Sequence, residues 1–198
     1  MRPAKDLLNK PIYTIDEGRL LGKVQDLYLD GELTALAGIF LGAHGVFKRR
    51  ADLILREDVV VFGTDAVLVS DADCITDDQS HPEAKTWLLR GKLGERAIGT
   101  AGGMKLGKLG DVEIEPTGRV TGLLLSKVLV EGPLAETKRI DRSIVLEPDA
   151  DGVVTVDLAA LEQLTGGAGA EEPDVPVEKG PPPLRVTVDD EPPAAVGG

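Results

Sequence analysis

Gly22-Lys23-Val24-Gln25-Asp26-Leu27-Tyr28-Leu29-Asp30 returns as Gly107-Lys108-Leu109-Gly110-Asp111-Val112-Glu113-Ile114-Glu115. Each copy passes through a polar turn, Asp30-Gly31-Glu32 or Pro116-Thr117-Gly118, into a second apolar run, Leu36–Leu41 or Val120–Leu125. From Gly22 to Gly107 is 85 residues. Solenoid units repeat every roughly 20–50 residues, so this period fits a small domain instead.

The apolar phase slips at the same place in both copies. Val24 and Leu27 are three apart and Leu27 and Leu29 two apart; Leu109, Val112 and Ile114 repeat that spacing. A one-residue slip in an alternating strand predicts a β-bulge, a device that bends strands around small barrels. Further strands are expected near Leu53–Arg56, Val59–Phe62 and Val67–Val69, then at Arg139-Ile140, Ser143–Leu146 and Val153–Val156. Short strands between Gly- and Pro-rich turns read as small closed barrels, because closure removes exposed edges.

These signals divide the chain into a first barrel over 1–79, a linker helix over 80–91, a second barrel over 92–165 and a tail over 166–198. The linker helix rests on Ser80 and Glu83 as a capping box, Ala84, Trp87 and Leu88 on one face, and Gly91 as its end. Trp87 is expected in the seam between the domains. A last helix starts at Asp157 as N-cap and carries Leu158, Leu161 and Leu164. Small domains bury little surface alone, so the two should pack on each other or on a partner. The Gly-, Pro- and acid-rich tail cannot offset its ordering entropy and is expected to be disordered. Leu184–Val188 is a strand-like pentad within it.

The formal charge is −12, of which the tail supplies seven acids against two bases. Nucleic acid is bound chiefly through Lys and Arg, so this balance argues against free DNA or RNA. The basic run Lys48-Arg49-Arg50 is short and reads as a solvated loop. Cys74 is the only cysteine, which excludes an internal disulfide and a cysteine metal cluster. No apolar stretch reaches membrane-span length and no leader pattern is present, so a cytoplasmic location is expected. A membrane-bound partner stays compatible with this.

No catalytic constellation is legible, and no catalytic, cofactor or metal residue is assigned. Gly102–Lys108 nearly fits a phosphate-binding loop, but Leu109 replaces the magnesium-binding hydroxyl and a strand is expected where a helix is needed. His44 and His81 have no ligand at metal spacing. Asp26 and Asp111 occupy matching positions, and the simplest role for both is hydrogen bonding to local backbone amides. Ile39-Phe40-Leu41 with Val46-Phe47 is a candidate partner patch, with the barrel core as its competing place.

The run Asp6–Ile12, Asp16-Glu17-Gly18, Gly22–Leu27 and Asp30 resembles the opening of a PRC-barrel domain. That family includes the H subunit of the photosynthetic reaction centre and the C-terminal domain of ribosome maturation factors. Gly107–Val112 resembles the same motif in the second copy. The resemblance implies tandem SH3-like, PRC-type β-barrels in a mainly β chain. It also implies docking on other macromolecules, with no catalytic residues to transfer. The expected function is therefore a non-enzymatic, protein-binding adaptor that needs no cofactor and acts through barrel faces or strand addition. A ribosome-associated assembly factor is the alternative, and a nucleotide-binding protein using Gly102–Lys108 the third reading.

Overall fold

Ile12 and Thr14 are buried while Pro11 and Tyr13 between them face outward, and this alternation is what makes the segment a half-buried strand. The same logic runs along the chain. The computed structural model describes residues 1–44, 50–146 and 153–164. The first half holds β1 (Arg2–Pro3), β2 (Pro11–Thr14), β3 (Leu20–Lys23), β4 (Asp26–Leu29), β5 (Leu36–His44), β6 (Arg50–Leu55), β7 (Val59–Phe62), β8 (Val67–Val69) and β9 (Ile75–Asp77). The second holds β10 (Leu88–Leu89), β11 (Ala97–Thr100), β12 (Lys105–Ile114), β13 (Val120–Val128), α1 (Pro133–Thr137), β14 (Arg139–Asp141), β15 (Val154–Val156) and α2 (Leu158–Leu164). The fold is mainly β, as expected.

The first half forms two ladders, β3-β2-β8-β7 and β10-β4-β5-β6-β9. The second half forms one, β14-β13-β12-β11-β15, with β1 added to β12. The pairings correspond. Ile12 faces Gly22 on one side and, in parallel, Val67 on the other; Ile98 faces Gly107 and Val154 in the same way. Thr14 and Thr100 are both buried, and their hydroxyls accept from the amides of Arg19 and Met104 that begin the returning strand.

The phase slip has two outcomes. In the second half β12 is continuous and its register shifts between Leu109 and Asp111. In the first half the ladder breaks. The Val24 amide still bonds to Lys10, across from β3, but the next amide, Gln25, turns to Phe40 on β5. What was expected as a bulge is therefore a crossing from one sheet to the other.

Two local expectations change. The linker helix over 80–91 is a single 3-10 turn, Pro82–Thr86, without a side-chain cap. Asp77 explains this, because its carboxylate takes both the Ser80 amide and hydroxyl, leaving Ser80 no role as a cap. Leu88 and Leu89 then pair with Leu29 and Tyr28 as a strand. Ser143–Leu146 is not a strand either. Asp141 captures the Ser143 amide and hydroxyl and starts a 3-10 turn, Arg142–Ile144, after which Val145 makes one bridge to Val156. The acidic segment after Asp71 contains β9, paired to β6. The Pro148–Gly152 turn region, the tail with Leu184–Val188, and Val46, Phe47, Lys48 and Arg49 lie outside the described residues.

The N-terminal strands are exchanged between the halves. β1 precedes the first repeat but pairs with Glu113 and Ile114 of the second. β10 precedes the second repeat but pairs with Tyr28 and Leu29, the matching residues of the first. A direct bridge, Ala35 to Arg119, joins the two hairpin turns. The buried Leu7, Leu27, Ile39, Leu93, Val112 and Leu123 all belong to one hydrophobic cluster. The described residues belong to one compact unit.

No ladder closes on itself among the described residues, so the edge of β7 needs another protection. Arg56 donates Nη1 to the Val59 carbonyl at 2.9 Å, and Arg2 donates to the Phe62 and Gly63 carbonyls. Guanidinium groups thus occupy carbonyls of the edge strand that another chain would pair with.

Candidate functional site

Asp26 begins β4 and Asp111 lies within β12, the strands that accept the exchanged segments. Asp26 Oδ1 accepts from its neighbour Leu27, but Oδ2 accepts from Gly91 N at 3.0 Å. Asp111 Oδ2 accepts from Lys5 N at 3.1 Å, and Oδ1 accepts from Arg90 Nε at 3.0 Å. The expectation of purely local amide bonding is thus corrected. Each carboxylate holds the opening turn of the opposite repeat. A Cβ on Gly91 would lie 2.8 Å from Asp26 Oδ2, so glycine lets this turn approach the carboxylate.

Arg56 and Arg142 form a second matching pair. Arg56 Nε donates to the Thr117 carbonyl at 2.7 Å, in the hairpin turn of the second half. Arg142 Nε donates to the Leu33 carbonyl at 2.9 Å, in the hairpin turn of the first. Beside Arg56 is a cleft of about 570 Å³ lined by Ala37, Leu55, Glu83, Trp87 and Thr117. Trp87 is half-buried there and packs on Tyr28 with ring centroids 5.7 Å apart. Because Thr117 comes from the other repeat, Trp87 stands at the seam. These groups are occupied with holding the halves together.

The remaining candidates are dispersed. Gly103 N and Met104 N donate to the carbonyl and hydroxyl of Thr100, and Lys108 lies within β12. The amides near Gly102 therefore serve a turn, and no helix follows Lys108. His81 is held locally, with Nε2 3.2 Å from Thr76 Oγ1 and Nδ1 3.2 Å from Glu83 Oε1. His44 ends β5, far in sequence from His81, and its side chain lies outside the described residues. Among the described residues no group of three or more His, Cys, Asp or Glu is placed to hold a metal. Ile39 is buried, while Phe40 and Leu41 are half-buried, Phe40 packing edge-on against Tyr28 at 5.8 Å.

Cys74 is buried, and burial, reinforced by Asp58 and Asp71, pushes its thiol up to about 11. At neutral pH it is a thiol, and the thiolate is the reactive form. We expect Cys74 in the native protein to react with a disulfide reagent at pH 8 roughly 100-fold more slowly than an exposed cysteine of ordinary pKa. Equal rates would contradict this environment.

Among the described residues, one sheet face carries a row of apolar side chains. On the outer face of the β3-β2-β8-β7 sheet, Tyr13 stands opposite Leu20 on one side and Leu68 on the other, and Leu68 stands opposite Val61. Residues directly opposite share a face, so Leu20, Tyr13, Leu68 and Val61 form one row across all four strands. Leu20 is 55% and Val61 43% exposed, and Tyr13 and Leu68 are half-buried. Ile15 and Val60 beside them are also exposed. The second repeat supplies an internal control. There Gly99 takes the place of Tyr13, facing Lys105 and Thr155. The fold therefore does not require apolar side chains at these positions. Sequence reading missed this row because its members are scattered from residue 13 to residue 68.

Residues 1–72 match the model of the PRC-barrel domain. That stretch, which contains the whole apolar row, is similar to a PRC-barrel domain. No curated protein matches the chain. No helix among the described residues is long and apolar enough to cross a membrane.

Proposed function

We propose that this protein is a non-enzymatic adaptor that docks a protein partner on its first repeat. We also read the second repeat as a PRC-type barrel, because its pairing of Ile98 with Gly107 and Val154 matches that of Ile12 with Gly22 and Val67 in the matched stretch. The observation that carries the adaptor reading is the apolar row Leu20-Tyr13-Leu68-Val61 in the first repeat, set against the polar Lys105-Gly99-Thr155 in the second. Contiguous exposed apolar surface marks interaction sites, and tyrosine is enriched among residues that anchor interfaces. Docking on a face also suits an edge strand whose carbonyls are occupied by Arg2 and Arg56.

Affinity purification from the native cell, followed by reconstitution from purified components, tests this reading. The expected result is a defined complex with a partner protein, re-formed in vitro. A capture dominated by ribosomal proteins would instead support the assembly-factor reading. Recovery of nothing beyond what an unrelated acidic domain recovers would contradict both.

A further inference from the structure

We infer that the apolar row receives a basic amphipathic helix from the partner protein. This rests on the adaptor reading and names the occupant of its surface. The row is one side chain wide and spans four strands, about 14 Å at roughly 4.8 Å per strand. Side chains at i, i+4, i+7 and i+11 of a helix cover about 16 Å of its axis, which matches that length. A second copy of the chain fits less well, because a stable dimer buries about 800 Å² per partner, far more than one row of four side chains offers.

The end of the row where β2 and β8 stop is acidic, while Arg56 and Arg2 lie along the β7 edge. Ile15 N donates to Val69 O and Ser70 N to Asp58 O, which places Asp16, Glu17, Asp58 and Asp71 together where β2 and β8 end. Asp58 is raised above the ordinary carboxylate value, first by burial and then by the nearby charges of Glu57 and Asp71, with His81 working partly against them. Arg19 is the one exposed cation in the intervening turn. Lysine or arginine on the docking helix would relieve this crowding, steer encounter and fix the helix direction.

The test uses the full chain and a synthetic amphipathic peptide of about four helical turns, with leucine at i, i+4, i+7 and i+11 and lysine on its flanks. A second peptide carries glutamate in place of lysine. Leu68→Thr with Val61→Thr removes apolar surface without changing charge, and Thr already occupies the matching position 155. Leu20→Lys, which copies Lys105, is the second variant. We expect amide chemical-shift changes centred on Tyr13, Leu20, Val61 and Leu68 with the lysine peptide. The double variant should keep its melting temperature and bind about tenfold more weakly, and the glutamate peptide should not bind. Binding that ignores both variants, or equal binding of the two peptides, would overturn the proposal. So would a concentration-dependent dimer abolished by the double variant, or variant-sensitive binding to phosphatidylcholine vesicles. The adaptor reading fails separately. If the peptide does not bind but a reconstituted partner binds wild type and loses affinity for the double variant, only the helix proposal is lost; a partner that binds both alike would remove the row from the adaptor reading as well.

Discussion

Asp111→Ala is expected to destabilise the protein by about 3–5 kcal/mol, the range for breaking one side of a buried ion pair. Two groups lose their partner together. Arg90, whose side chain is only 16% exposed, keeps its charge without a carboxylate, and Lys5 N loses its acceptor. The matching Asp26→Ala removes bonds to Gly91 N and Leu27 N but leaves no stranded charge, and about 1–2 kcal/mol is expected. Urea unfolding monitored by circular dichroism measures both, with an unchanged slope confirming that the unfolding transition is the same. A cost below that of Asp26→Ala would contradict the assignment of Arg90 and Lys5 to Asp111.

Gly107→Ala is the second large effect, at about 3 kcal/mol. A Cβ there would lie 2.1 Å from the Lys127 carbonyl oxygen and 2.9 Å from a Leu125 methyl, so β12 and β13 would have to separate. Its counterpart Gly22 occupies the same place in the repeated motif for another reason. Gly22 has open space around it but φ of +153°, so alanine there is strained by its backbone alone. Gly22→Ala should cost about 1 kcal/mol. Thermal unfolding of the two variants gives the order directly. If Gly22→Ala were the costlier change, the packing of β12 on β13 would be misdescribed.

The same glycine pair illustrates what the sequence could carry. The repeat, the turns and the phase slip are local patterns, and they are visible in a single chain. What each glycine meets depends on a strand elsewhere, which no local pattern contains. The exchange of β1 and β10 was hidden for a similar reason. Each is a two-residue strand, too short to show alternation, and Leu88-Leu89 was absorbed into a helical stripe. Asp26 and Asp111 were visible as a matched pair, but their partners Gly91 and Lys5 carry no side-chain signal, since backbone amides do the bonding. Arg56 and Arg142 sit at matching positions too, yet their acceptors are backbone carbonyls in the other half, which carry no side-chain signal.

The surface followed the same rule. Ile39–Leu41 drew attention because its apolar residues are consecutive, and consecutive apolar residues on a strand include one that faces inward. The row actually exposed draws one residue from each of four strands. Its legibility depends on registers that are fixed only when β2 pairs with β8 in parallel, a connection that spans the whole first repeat.

Exchanged strands and reciprocal carboxylates make the two repeats one cooperative unit, and on this the rest depends. Native-state amide hydrogen exchange tests it most directly, read at Ile39 and Leu123, which are buried at corresponding places in β5 and β13. Asp111 lies in the second repeat, so a local effect would be confined there. We predict that Asp111→Ala accelerates exchange at both residues by a common factor of about 100 or more, the kinetic image of losing roughly 3 kcal/mol of global stability. Acceleration at Leu123 with Ile39 unchanged would show that the halves unfold independently and would contradict the claim.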